Sequence, residues 1–175
     1  MNKEVLVIRR DMIHKEINDL YEHFFEVEDR EPLYKQIEKL NDELKDICDE
    51  IMLFEPIIAS NEYVDLRRKD KYTFLIYIHN DKTIVGEINY RKYHCNEHLG
   101  DVGYSVYDKY RGNNYAYHAL CALSEYLKSN DIPDFWISTY KHNIPSFRTI
   151  EKYGGKLIIE KGDFVLYECN TSRLK

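Results

Sequence analysis

Two short stretches of this chain carry residue types and spacings suited to chemistry. The first is Asp101-Val-Gly-Tyr-Ser-Val-Tyr107, which alternates like a strand and runs into the turn Arg111-Gly-Asn-Asn-Tyr-Ala116. A strand that feeds a tight turn at a helix N-terminus is built to hold phosphate. Unpaired backbone N–H groups and the positive end of the helix dipole converge there. The second stretch opens with Asn143-Ile-Pro-Ser146 and closes with Glu151-Lys-Tyr-Gly-Gly155. Asn143 and Ser146 stand three apart at a helix start, so they share a face. Together the two stretches suit a phosphate-bearing ligand whose far end reaches between two strands.

Other constellations are weaker. His94, Cys95 and His98 lie within five residues, but they lack a fourth ligand and any Cys-x-x-Cys pairing, so no metal is expected. The four cysteines, at 48, 95, 121 and 169, read as reduced thiols of a cytoplasmic protein. No Ser-His-Asp arrangement, P-loop or basic–aromatic stripe is visible. The net charge of −6 argues against a nucleic-acid partner. The run Met1–Arg9 has too short an apolar stretch for a signal peptide, and nothing approaches a membrane-spanning length.

These residues need a scaffold, and 175 residues fit one domain with a sizeable core, 1–175. Val5–Ile8 reads as a first strand. Ile13, Ile17, Leu20, Phe24 and Val27 then repeat at 4-3-4-3 spacing, and Leu33, Ile37, Leu40, Leu44, Ile47, Ile51 and Phe54 repeat likewise. Pro32 suits a helix's first turn and Pro56 stops the second helix. Two such helices form a helical hairpin over about 12–54. The alternative is that each stripe faces the sheet. From Glu22 to Glu55 there are twelve acidic and four basic residues, hence −8, against +2 for the rest of the chain. Residues 72–79 read as a central strand, apolar on both faces. Residues 83–90 form the next strand, with Gly86 marking a bulge. A helix over 115–129 buries Ala116, Ala119, Leu120, Leu123 and Leu127. A strand over 135–139, a helix over 145–153 ended by Gly154-Gly155, and a hairpin of 157–160 with 164–168 complete the chain.

The turn at Arg111–Ala116 resembles the Arg/Gln-x-x-Gly-x-Gly/Ala signature of the GNAT superfamily of N-acetyltransferases. The downstream Asn143-x-x-Ser146 and Glu151-Lys152-x-Gly154 resemble the family's second motif. Their form is most similar to the branch that holds ribosomal-protein N-terminal and spermidine acetyltransferases. The resemblance implies an α/β fold: a mixed, mostly antiparallel sheet of about six to seven strands, splayed between 101–107 and 134–139, with helices on both faces. It implies acetyl-CoA as co-substrate. The amides of Gly112, Asn113, Asn114, Tyr115 and Ala116, together with Arg111, would then cradle its pyrophosphate. Asn114 stands where the family has Gly, and Asn tolerates the left-handed backbone that position asks for. Tyr104, Ser105 and Val106 would pair with the pantetheine arm as a strand does, with the Val106 N–H as oxyanion donor. Asn143 would contact that arm, and Ser146 would protonate the departing thiolate. Many family members use a Tyr for this, but the corresponding residue here is Ile150.

An amine acceptor arrives protonated and must lose a proton. Asp101 stands where the family often places Glu and is the expected general base. Glu87, His94 and His98 are the alternatives. The reading is transfer of an acetyl group to a primary amine by direct attack in a ternary complex. The acidic hairpin favours a cationic small-molecule amine such as a polyamine, and a protein N-terminus stays open. The competing reading is a domain that binds acyl-CoA without transferring it and acts through partner binding. A homodimer seam along the hairpin is a third.

Overall fold

A computed structural model describes residues 2–24, 26–92 and 100–173. Contacts divide the chain into two compact units, Met1–Glu55 and Pro56–Lys175.

The first unit is a helical hairpin of α1 (Lys3–Phe24) and α2 (Glu31–Met52). The expected strand at Val5–Ile8 is instead the first turns of α1. Four branched residues in a row, three of them β-branched, read as a strand locally, but the segment has no breaker before Phe24 and Leu6 continues the helical stripe of Ile13 and Ile17. Asn2 Oδ1 caps the start by accepting the Val5 N–H at 2.9 Å. The two stripes meet each other: Leu6, Ile13 and Ile17 bury against Ile37, Leu40, Ile47 and Ile51. Each fully buried Leu or Ile contributes about 1.5–3 kcal/mol, which outweighs the strand propensity of four residues. The ion pairs Lys3–Glu55 and Arg9–Glu43, both 2.7 Å, sit at the surface and add less than about 1 kcal/mol each. Val27 and Phe54, expected in the stripes, lie beyond the helix ends and are exposed.

The second unit contains two antiparallel sheets. The larger has five strands in sequential order: β1 (Ile57–Ser60), β2 (Val64–Arg68), β3 (Thr73–Ile78), β4 (Ile84–Tyr90) and β5 (Val102–Val106). β3 is central, as its two-sided apolar pattern requires. The smaller runs β6 (Asp134–Tyr140), β8 (Phe164–Asn170), β7 (Lys156–Lys161). Helices α3 (Tyr115–Ser129) and α4 (Ile144–Tyr153) fill the connections on either side of β6. A single core joins both sheets: Phe74, Ile76 and Ile88 from the larger, Leu120, Leu123 and Leu127 from α3, and Phe135, Ile137 and Val165 from the smaller. Ser124, fully buried on α3, is satisfied at 2.6 Å by the Tyr153 hydroxyl, which also reaches Asn170 O at 3.1 Å. This ties α3, α4 and β8 together.

Gly86 sits where the β3–β4 register slips, so the expected bulge is there. Its stronger reason for being glycine is β5. A Cβ at Gly86 would lie 2.1 Å from the Ser105 carbonyl oxygen. No helix among the described residues is long and apolar enough to cross a membrane.

Candidate active site

β5 is the edge of its sheet and β6 the edge of the other. They touch at one end only. The Asp101 N–H donates to Trp136 O at 2.6 Å, and Asp101 Oδ2 accepts the Trp136 N–H at 2.9 Å. Gly100 lies so close to β6 that a Cβ there would meet Ser138 N at 2.5 Å. Beyond this staple no ladder joins the strands, and they splay. The Tyr107 N–H turns to Val85 O on β4. Strand alternation therefore sends the Val106 N–H and C=O away from β4, toward the splay. The Val106 C=O accepts Arg111 Nε at 3.3 Å, which fits that orientation.

A cleft of about 750 Å³ opens along this edge, bounded by β5, the turn before α3 and the first turns of α4. The turn is shaped by two left-handed residues, Gly112 at φ 84° and Asn114 at φ 60°. The left-handed Asn that the sequence leads one to expect is therefore present. Asn114 makes no side-chain cap to α3, so the first-turn amides of α3 keep no intrahelical partner. Instead its Oδ1 accepts Lys152 Nζ from α4 at 3.3 Å. Lys152 also lies over the Tyr117 ring at 4.3 Å. Arg111, Arg148 and Lys152 all line the cleft, and no carboxylate does. In a chain of net charge −6, this is a local reversal of sign that suits an anionic ligand.

At the other side of the cleft, Asn143 caps α4: its Oδ1 accepts the Ser146 N–H at 3.4 Å. The Ser146 hydroxyl stands 3.0 Å from the Tyr104 hydroxyl, reaching over from β5. Burial pushes the Tyr104 phenol up, an effect that its hydrogen bonds to Ser146 and Thr149 only partly offset. Ile150, where many relatives of the motif carry Tyr, is fully buried in the core. The phenol that meets Ser146 comes from the facing strand instead.

Ten of the expected ligand-binding residues thus line one cleft: Tyr104, Ser105 and Val106 on β5, Arg111, Gly112, Asn114, Tyr115 and Ala116 at the turn, Asn143 and Ser146 on α4. Asn113 is outside the lining, and its amide holds the turn by donating to Tyr110 O at 3.0 Å. Asp101 is also outside. It is 1% exposed and bonded to β6 as described. Glu87 on β4 is in register with Ser105 and pairs with Lys69 at 2.5 Å. His94, Cys95 and His98 lie outside the described residues. Arg148, Lys152 and the phenol of Tyr104 are the site residues that spacing did not single out. Arg148 and Lys152 stand four apart on α4, one turn of helix, which was the available signal.

A Ser-His-Asp set does occur in space although none is visible in the chain order. Asp65, nearly buried, accepts from Ser60 at 2.5 Å and contacts His79 Nδ1 at 2.8 Å. Ser60 Oγ also stands 3.3 Å from His79 Nδ1, but its proton goes to the Asp65 oxygen at 2.5 Å, the same oxygen that the imidazole nitrogen contacts, so the arrangement anchors β1 and the β3–β4 turn to β2. Among the described residues no group of three His, Cys, Asp or Glu is placed to hold a metal.

The sequence profile of the acetyltransferase (GNAT) domain matches residues 15–156. The chain belongs to this family of acetyltransferases, whose co-substrate is acetyl-CoA. No curated protein matches it. Solved structures similar to it include a GNAT-family acetyltransferase from Bacillus anthracis, at 24% identity over 58% of this chain and 68% of that one, TM-score 0.49. Ribosomal-protein-S5-alanine acetyltransferase from Vibrio fischeri is 19% identical over 59% of this chain and 63% of that one, TM-score 0.48. A domain from Methanocaldococcus jannaschii is 19% identical over 63% of this chain and 69% of that one, TM-score 0.47. The match spans less than two thirds of the Vibrio fischeri chain.

Proposed function

We propose that this protein transfers the acetyl group of acetyl-CoA to a primary amine, by direct attack while both substrates are bound. The observation that carries the reading is the cleft itself. Uncapped helix amides, three cationic side chains and an open strand edge line one face. The Tyr104–Ser146 hydroxyl pair closes the other. Acetyl-CoA would supply an activated acyl group on a thiol leaving group. Arg111, Lys152 and the first-turn amides of α3 suit its phosphates, and the β5 edge suits its amide-bearing arm.

The Val106 N–H, turned toward the splay, is placed to donate to a carbonyl oxygen as negative charge grows there. The Ser146 hydroxyl would give its proton to the departing sulfur and take one from Tyr104. A phenol whose pKa is raised holds that proton at neutral pH. For the proton leaving the amine, Asp101 is buried and holds β5 to β6; Glu87, part-exposed and in register with Ser105, is the carboxylate this reading takes instead, acting once it parts from Lys69. The acceptor is a small amine or a protein N-terminus.

The test is release of free CoA with spermidine, an aminoglycoside, an amino sugar and short peptides as acceptors. Wild type would turn over one class. Tyr104→Phe and Ser146→Ala would each lower kcat about 10²-fold, as expected for loss of a positioned proton donor, with acetyl-CoA affinity kept. The burial of Asp101 favours the second reading, a domain that binds acyl-CoA and acts through a partner. Tight acetyl-CoA binding with no turnover on any acceptor would select it.

A further inference from the structure

α4 is a partition. Ser146, Thr149 and Lys152 face the cationic cleft, while Phe147 and Glu151, one turn apart, line a separate cavity of about 440 Å³ over the smaller sheet. The floor of this second cavity is Val165 and Tyr167, and its far rim is Leu157 and Glu160. We propose that it is a binding site for a small organic ammonium ion, distinct from the acetyl-transfer cleft and independent of that reading.

Three observations converge. The cavity is the electrostatic opposite of its neighbour. Glu160 is neutralised by Lys141 at 2.5 Å, while Glu151 has no ion-pair partner among the described residues, so one negative charge is left over. The walls are apolar and aromatic: Phe147 and Tyr167 meet edge-to-face at 6.1 Å, and Leu157 and Val165 complete them. Such rings and one carboxylate are the usual complement of an alkyl- or arylammonium group.

Tyr167 supplies the third observation. The residue is only 5% exposed and lines the cavity, and its hydroxyl, bonded to no described protein group, is not one of the buried unpaired polar atoms and so stays open there. Burial first, then Glu151 and Glu160, push this phenol's pKa up, in keeping with all three lining one cavity. An ammonium group donating to the Glu151 carboxylate and to the Tyr167 oxygen would satisfy both, with its carbon body against Phe147 and Val165. The site binds a cation reversibly, and no bond is made or broken.

The experiment is a protein-observed ¹H–¹⁵N titration of the full chain with benzylammonium, with benzyl alcohol as the neutral isostere and saturating CoA as a second arm. The expected result is shifts centred on Gly155, Glu160 and Tyr167 that persist with CoA bound and are absent with benzyl alcohol. Glu151→Gln, a substitution at an exposed position, would weaken binding about tenfold or more, as for loss of a charged hydrogen-bond partner. Tyr167→Phe would weaken it less. Shifts elsewhere, equal binding of the alcohol, or an unchanged Kd in Glu151→Gln would each overturn the proposal. So would no binding in a wild-type protein whose spectrum shows it folded.

Discussion

Replacing Gly86 with Ala tests whether the β4–β5 approach sets the cleft. The added methyl would sit 2.1 Å from the Ser105 carbonyl oxygen and 3.0 Å from Val106 Cα, both backbone atoms of the strand that lines the cleft. Real Cβ contacts essentially never fall below 3.0 Å, so β5 must retreat by 3.0 − 2.1 = 0.9 Å. Backbone in a ladder cannot rotate away as a side chain can. Overpacking of this kind costs about 1–3 kcal/mol, which is a fall in Tm of roughly 2–12 °C for a domain of this size. The same movement shifts the Val106 N–H, and a displacement near 1 Å at a reacting centre costs about 10²-fold in rate. The assays are thermal denaturation, calorimetric binding of acetyl-CoA and CoA release. Gly162→Ala is the control. Its φ of +63° strains the β7–β8 turn, but no atom lies within 4 Å, so stability should fall by about 1 kcal/mol with acetyl-CoA affinity unchanged. A Gly86→Ala protein with wild-type Tm and affinity would refute the argument, as would identical behaviour of the two variants.

Two further outcomes follow from the buried polar groups. Asp101→Ala should cost about 1–3 kcal/mol by stranding the Trp136 N–H, whereas Asp101→Asn keeps an acceptor there and should keep both Tm and turnover. Glu87→Gln should lose turnover instead, and a pH–rate profile of the two variants decides which carboxylate takes the proton. Tyr153 is raised to about 12, chiefly by burial. A phenol shifted this way keeps its proton in the folded state after the unfolded chain, at the ordinary 10.0, has lost it. Its contribution is therefore complete below about pH 10 and lost as pH rises toward 12. Tyr153→Phe should cost about 1–2 kcal/mol at neutral pH by stranding Ser124, and should make the alkaline loss of stability shallower in a pH series of melts.

Much of the second unit is legible because local signals and tertiary demands agree there. The helix at 115–129 has Leu120, Leu123 and Leu127 at helical spacing and a turn that needs left-handed residues at its mouth. The hairpin of β7 and β8 is marked by Gly162. β1 and β2 escape because their signals are short. Ile57–Ser60 is four residues long, and in Val64–Arg68 a buried Asp65 interrupts the apolar pattern. That Asp is satisfied by Ser60 and His79, residues whose proximity only the sheet creates. Val5–Ile8 misleads for the converse reason, since a β-branched run cannot announce that a partner helix waits for Leu6. In the cleft, the turn and Ser146 are readable from type and spacing. The Tyr104–Ser146 contact is not, because it joins positions 42 apart. The role of Asp101 is hidden as well, since an acidic residue at a strand entry looks the same whether it faces a ligand or a neighbouring amide.

The open edge of β5 has a consequence for how this protein can change. The Val106 amide that faces the splay belongs to the main chain, and every amino acid except proline provides it. Recognition built from peptide groups survives replacement of the side chains that carry them. An alanine scan along β5 would therefore pass over the donor at Val106 and report only on packing. Tyr104 would be the exception, because its hydroxyl acts as a side chain. The strand can drift in sequence while the ligand contact stays fixed, and Val106→Pro is the substitution that removes the contact.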